Sequence, residues 1–249
     1  MAGGGRGGGG CVAGSGGAGH AASMPDGLPH ALPDLDALIP AVTRRYDGAS
    51  RFTRNFVPSK LRRDPATAAI LSYAHRAGGL GHVVDLGCGR GQLGLALLLS
   101  GGASRVTGLD LDAVKVAEAN GASRGLPASF IPADLARAEV PAGDTALMAD
   151  VLYQLPDGAQ LPVLDGMARA ARRRIVMRLF DPDRGWRSAF GMAMEHAGRA
   201  LRRDGAAVKP MPVGAVVARF EAAGFRCSVS PCWEGTPFPN VLLLAERAA

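Results

Sequence analysis

Lysine is almost missing from this sequence: of 28 basic side chains only Lys60, Lys115 and Lys209 are lysine. A net charge of +6 built on arginine, in a chain so rich in Ala and Gly, reads as coding bias rather than as a nucleic-acid footprint. Cysteine is sparse as well. Cys11, Cys88, Cys227 and Cys232 have neither metal-ligand spacing nor the pattern of a disulfide framework, and the five histidines are scattered without an HxxxH. Those absences exclude a structural zinc site and suit a reducing cytoplasm. Long apolar runs are lacking too, since Leu93 to Leu99 falls far short of the roughly 18 residues that a membrane span needs. The expectation is a soluble, cytoplasmic protein.

What is present begins with a Gly/Ala/Ser stretch, residues 1–35, that cannot bury enough apolar surface to offset its ordering entropy. We expect a disordered tail. It has a lone early Arg6 and no leucine-rich segment, which argues against a secretory signal, and too little arginine for a transit peptide. Translation from Met24 would remove most of it. Residues 36–80 read as a helical cap and 81–249 as the core. Basic residues cluster in the cap (Arg44, Arg45, Arg51, Arg54, Lys60, Arg62, Arg63), as either a solvated helix face or a docking patch for an acidic partner.

From residue 64 onward, short β-branched runs alternate with segments of helical period, the pattern of a parallel sheet covered on both faces. Strands are expected near His82–Leu86, Arg105–Asp110, Ser129–Ala133, Thr145–Ala149 and Arg174–Leu179. Helices are expected over Asp64–Ala77, Gln92–Ser100, Asp112–Arg124, Gly158–Arg172, Trp186–Arg202 and Val213–Ala223. Two last strands, Phe225–Pro231 and Val241–Glu246, are joined by a connection too short for a crossover, so they must form an antiparallel hairpin. The fold class is α/β, a doubly wound sheet of seven strands, mostly parallel, with an antiparallel C-terminal strand.

The chemistry concentrates in "VVDLGCGRG", residues 83 to 91. Gly87, Gly89 and Gly91 let the chain turn where the first strand hands over to a helix, and that helix offers free N–H groups to an anion. Read from Gly89, "GRGQLG" is also a dinucleotide fingerprint, with Asp110 about twenty residues on. Asp85 separates the two readings. A carboxylate there repels a pyrophosphate in a partly desolvated crevice, whereas a ligand with an amino-acid end can place its ammonium on Asp85 and its carboxylate on backbone N–H groups.

At these residues the chain resembles the class I S-adenosylmethionine-dependent methyltransferases, whose first motif has the form of "VVDLGCGRG". The resemblance implies a Rossmann-like fold and S-adenosyl-L-methionine as methyl donor. It continues through "VTGLDLD", where Asp110 would bind the ribose hydroxyls and Leu111 would lie beside the adenine, and through "FIPADL", where Asp134, followed by Leu135, would contact the adenine amino group. In "LMADVLYQLP" it places Asp150, Val151 and Tyr153 toward the donor. Cys88 lies in the same loop, as a small filler rather than a reactive thiol. Asp110 and Asp134 also fit a second role, as N-caps of following helices.

The D/N-P-P-Y/F element of nucleic-acid amino methyltransferases is missing from "ADVLYQLP", so the resemblance points away from nucleic acid and toward a small-molecule acceptor. A phenol of pKa about 10 would need a base or a hydrogen-bond partner; the catalytic candidates are His196 and Tyr153, with Glu195 and Asp181 behind them. Trp186, Phe190, Ala193, Ala197 and Leu201 fall on one helix face and read as a core stripe. "FVPSKLRRDP" and "DRGWR" resemble small bacterial methyltransferases encoded beside polyketide-like or aryl-polyene pathways, which implies a phenolic or carrier-bound acyl acceptor and an acidic acyl carrier protein as partner. Two alternatives stay open: an NAD(P)-dependent reductase, for which no Tyr-x-x-x-Lys pair is evident, and a non-catalytic cofactor-binding protein.

Overall fold

The computed structural model describes Met1, residues 34–202 and residues 209–248, with 195–202 as helix backbone only. Three helices precede the sheet: α1 (Leu35–Arg44), α2 (Arg51–Arg63) and α3 (Pro65–Arg76). Asp34 caps α1 by accepting from the Asp36 and Ala37 N–H groups, and Ser50 caps α2 through Thr53. Asp64 does double duty. It ends α2, and its side chain accepts from the Ala66 N–H to open α3, with Pro65 at the first helical position.

The rest is βα alternation broken once, between β3 and β4: β1 (His82–Leu86), α4 (Gln92–Leu99), β2 (Arg105–Asp110), α5 (Ala113–Ala122), β3 (Ala128–Pro132), β4 (Gly143–Ala149), α6 (Asp157–Ala170) and β5 (Ala171–Phe180). Then come α7 (Trp186–Arg202), α8 (Val213–Ala222), β6 (Phe225–Pro231) and β7 (Asn240–Arg247). The strands form one seven-stranded sheet in the order β3-β2-β1-β4-β5-β7-β6. Strands β1 to β5 pair in parallel, and β7 runs antiparallel between β5 and β6, as the short connection requires.

Successive strand residues point to opposite faces, and both faces are covered. Val83, Val106, Leu147 and Val176 pack under α1 to α5. Val84, Leu86, Met148, Ile175 and Met177 pack against α6 and α8, whose Leu164, Met167, Val216 and Phe220 are fully buried. Each such side chain contributes roughly 1.5–3 kcal/mol relative to exposure. Between β1 and β4 the order of strands reverses, which opens a crevice beyond their carboxyl ends.

The apolar stripe expected on α7 is not core. Trp186 is 68% exposed and Phe190 42%, and Ala193 is exposed too. The helix instead turns Gly191 inward, where an added Cβ would lie 2.6 Å from the Phe180 ring and 3.4 Å from Pro239. Close approach at a glycine set the rotation of this helix, and hydropathy periodicity does not register that. Ala197 and Leu201 have side chains outside the described residues.

Candidate functional site

The crevice at the switch point holds a cavity of about 710 Å³. Its floor is the β1–α4 loop. Gly87, Gly89 and Gly91 all have positive φ, at 80°, 57° and 73°. A Cβ on Gly87 would overlap Val151, and one on Gly91 would lie 2.6 Å from the Phe130 ring. Above Gly89 there is open space.

Asp85, Gly87, Cys88, Gly89, Asp110, Leu111, Asp134, Leu135, Asp150 and Val151 all line this cavity. Gly91 does not. It serves as the left-handed N-cap of α4 and fits against Phe130. Tyr153 borders a second cavity instead, and the His196 side chain lies outside the described residues.

Asp85 is 3% exposed, and among the described residues nothing donates a hydrogen bond to its carboxylate or pairs with it. Burial, and then the charge of Asp110, push its carboxyl up to about 7. Asp110 accepts from the Gly89 N–H at 2.7 Å and the Asp112 N–H at 2.9 Å. It is not the helix cap: Asp112 caps α5 through the Val114 and Lys115 N–H groups. Asp134 accepts from the Ala136 N–H at 3.0 Å in a turn that precedes no helix, and its side chain is 44% exposed beside Arg137.

The N–H groups of the glycine loop itself are engaged within the fold. The Gly87 and Cys88 N–H groups donate to the Leu109 carbonyl at 2.7 and 3.0 Å, Gly91 donates to Cys88 at 2.9 Å, and Gly89 is held by Asp110. The loop is stitched to β2. What remains for a carboxylate is the start of α4, where the Gln92 and Leu93 N–H groups have no side-chain cap and no backbone acceptor among the described residues; both residues line the cavity. A ligand with an amino-acid end fits these parts, its ammonium matched to Asp85 and its carboxylate to the helix start. A pyrophosphate would meet the buried carboxylate of Asp85 and the half-buried one of Asp110.

The second cavity, about 400 Å³, adjoins the first and shares Phe56, Lys60, Asp64 and Asp150 with it. Its walls are largely apolar, including Phe56, Pro65, Tyr153, Phe180, Met192 and Phe238. Tyr153 and Phe180 pack with ring centroids 6.3 Å apart. The connection before β7 supplies Thr236 and Phe238, because the antiparallel register sets Asn240 opposite Phe180 at the site end of the sheet.

Sequence reasoning missed Arg178 here. It is 6% exposed, and its Nη1 donates to Asp150 Oδ2 at 2.6 Å and lies 3.0 Å from Asp64 Oδ1. The signal was available: "RIVMRLF" sets one arginine inside a run whose neighbours are buried, and a charge in such a place has partners.

The sequence profile of the methyltransferase domain family matches residues 83–174. Among curated proteins, none matches. Several solved structures share the fold. Magnesium protoporphyrin IX methyltransferase from Synechocystis, crystallised with SAH, aligns with a TM-score of 0.58 at 20% identity over 82% of this chain and 91% of that one. The N-methyltransferase NodS of Bradyrhizobium japonicum, in complex with S-adenosyl-L-homocysteine, gives 0.56 at 16% identity over 85% and 99%. An O-methyltransferase family protein from Burkholderia thailandensis gives 0.60 at 16% over 86% and 63%. The domain match falls on the segment that builds both halves of the crevice, from β1 to the beginning of β5, so residues 83–174 carry a methyltransferase domain, on the fold shared by these S-adenosylhomocysteine-binding structures.

Proposed function

We propose that the protein transfers the methyl group of S-adenosylmethionine to a hydroxyl of a small aromatic or carrier-bound acyl acceptor. The observation that carries this reading is the second cavity, largely apolar and ring-lined, which adjoins the first along Phe56, Lys60, Asp64 and Asp150. Transfer from a sulfonium is a displacement that needs alignment and desolvation above all, and two adjoining cavities supply both. Asp85, Asp110, Leu111 and Asp134 serve the donor in this reading, and Tyr153 the acceptor.

The reductase alternative loses support from the buried Asp85 and from the capture of the Gly89 N–H by Asp110. Calorimetry with S-adenosylmethionine, NADH and NADPH separates the two: we expect heat from the first alone, and binding of a nicotinamide nucleotide in its place would end the methyltransferase reading. Incubation with methyl-labelled donor and host extract, followed by mass spectrometry, should yield an O-methylated product. Product labelled only on nitrogen or carbon would refute the choice of oxygen, and no labelled product at all would favour a non-catalytic protein.

For a carrier-bound acceptor, the exposed Arg51, Arg54, Arg62 and Arg63 of α2 offer an acidic carrier protein a basic face beside the cavity mouth. The double variant Lys60→Glu, Arg62→Glu should then lose retention on an immobilised acidic carrier protein. Undiminished retention would exclude that partner surface.

A further inference from the structure

Four ionisable side chains from four places in the chain meet at the wall between the cavities: Lys60 of α2, Asp64 at the α2–α3 joint, Asp150 after β4 and Arg178 of β5. Lys60 Nζ lies 2.6 Å from Asp64 Oδ2 and 3.8 Å from Asp150 Oδ2, and Arg178 bridges both carboxylates. Two positive and two negative charges cancel, so the cluster is balanced when Asp150 is ionised. Its two oxygens are not equivalent. Oδ2 is held by Arg178, whereas Oδ1 has no hydrogen bond or ion pair among the described residues, and the side chain is 21% exposed on a surface bordering both cavities.

The backbone makes an exception to place it there. Asp150 has φ of 62°, the one positive value among the described non-glycine residues, a conformation that costs an L residue energy and persists only where surroundings impose it. Here the Asp150 N–H donates to the Arg178 carbonyl at 3.2 Å, and the Gln154 amide donates to the Asp150 carbonyl.

Resting on the methyltransferase reading, we infer that Asp150 is the proton acceptor for the acceptor's hydroxyl, and that the acceptor is a flat aromatic alcohol whose ring lies among Phe56, Tyr153, Phe180 and Phe238 with its O–H on Asp150 Oδ1. The donor supplies a methyl group on a positively charged sulfur. As the hydroxyl oxygen forms its new bond to carbon, the sulfur–carbon bond breaks and sulfur keeps that electron pair. The hydroxyl proton moves to Asp150 Oδ1 and leaves afterwards to water through the cavity. Burial raises the Asp150 carboxyl, an effect opposed by Arg178 and Lys60 and reinforced by Asp64, the direction that makes a carboxylate a better base.

The test uses 2-naphthol as the probe, its binding followed by fluorescence with S-adenosylhomocysteine present, and its methylation followed with tritiated S-adenosylmethionine. Binding to the unaltered protein should weaken as falling pH protonates Asp150. Asp150→Asn, which keeps an oxygen for Arg178, should bind 2-naphthol about tenfold more weakly, with no pH dependence below the phenol's own pKa of about 10. It should also methylate the probe about 100-fold more slowly at saturating S-adenosylmethionine. Asp64→Asn removes a charge from the same cluster and still caps α3, so it should keep the pH dependence. The proposal is overturned if Asp150→Asn binds and methylates 2-naphthol like the unaltered protein, if Tyr153→Phe alone abolishes transfer, or if 2-naphthol is refused while S-adenosylhomocysteine binds. Failure to bind S-adenosylhomocysteine would instead count against the methyltransferase reading.

Discussion

The Tyr46 hydroxyl donates to the backbone carbonyl of Arg90 at 2.6 Å, fastening the end of α1 to the tip of the glycine loop. Burial pushes the Tyr46 phenol well above its ordinary value, so it stays a donor at any working pH. The Arg90 side chain extends the connection: Nε donates to Thr53 Oγ1 at 2.8 Å and to Glu118 Oε2 at 2.9 Å, and the guanidinium lies over the Phe52 and Phe56 rings at 5.2 and 5.3 Å. Cap, loop and α5 thus share one residue. Tyr46→Phe should cost about 1 kcal/mol in urea unfolding and weaken S-adenosylmethionine binding in calorimetry. Unchanged affinity would show that the loop holds its shape without the cap.

Gly87→Ala should be far more damaging at the site than its size suggests. The new methyl would overlap Val151, and alanine at φ of 80° is strained in addition, together about 1–3 kcal/mol or more. Thermal unfolding and donor calorimetry should both register it. Gly89→Ala is the informative comparison, since no protein atom stands within 4 Å of its added Cβ: it should carry only the backbone strain of φ 57°, about 1–2 kcal/mol, and lose donor affinity.

Asp85 predicts a pH dependence with a definite sign. Its carboxyl is raised to about 7 in the fold against an ordinary value of 3.8, so between those values the folded state binds a proton that the unfolded chain has released. Stability of the ligand-free protein should therefore fall as pH rises from about 4 to about 7, by on the order of a few kcal/mol, and level off above. Donor binding should show the opposite trend. With the donor's ammonium on Asp85, as proposed, binding needs that carboxyl ionised, so affinity should rise by up to about tenfold per pH unit on approaching 7. Asp85→Asn should flatten both slopes; a slope surviving in either measurement would assign it to another group.

Arg178→Met leaves Asp64 and Asp150 with Lys60, itself 38% exposed, as the one cation of the cluster. Both ends of the Arg178–Asp64 pair are under 10% exposed, and removal of one member of a buried pair typically costs about 3–5 kcal/mol. Adding Asp150→Asn should restore part of that loss. Denaturant titration of single and double variants measures it, and strict additivity would mean that the pair is not coupled.

The strands were legible because helices separate β1 from β2, β2 from β3 and β4 from β5, and the hairpin because the connection from Cys232 to Pro239 has no room for a crossover. Asp85, Asp110 and Asp134 could be placed near one another because each lies at or just beyond the carboxyl end of a strand in the parallel part of the sheet. Other features depend on contacts that no local pattern records. The rotation of α7 follows from Gly191 against Phe180, so Trp186 and Phe190 came out on the wrong side. The engagement of the Gly87 and Cys88 N–H groups depends on the Leu109 carbonyl across the sheet. Helix α2 was legible only as a basic cluster, since its buried face is Thr53, Val57 and Leu61 and it contains Pro58.

Asp64 belongs to two helices with no linker between them, and its side chain is committed to Arg178. A joint of one residue has no slack. Any swing of α2 that widens the donor chamber must therefore tug the carboxylate away from its guanidinium partner. The seat of α2 and the wiring of the charges between the two chambers are thus fixed by the same residue.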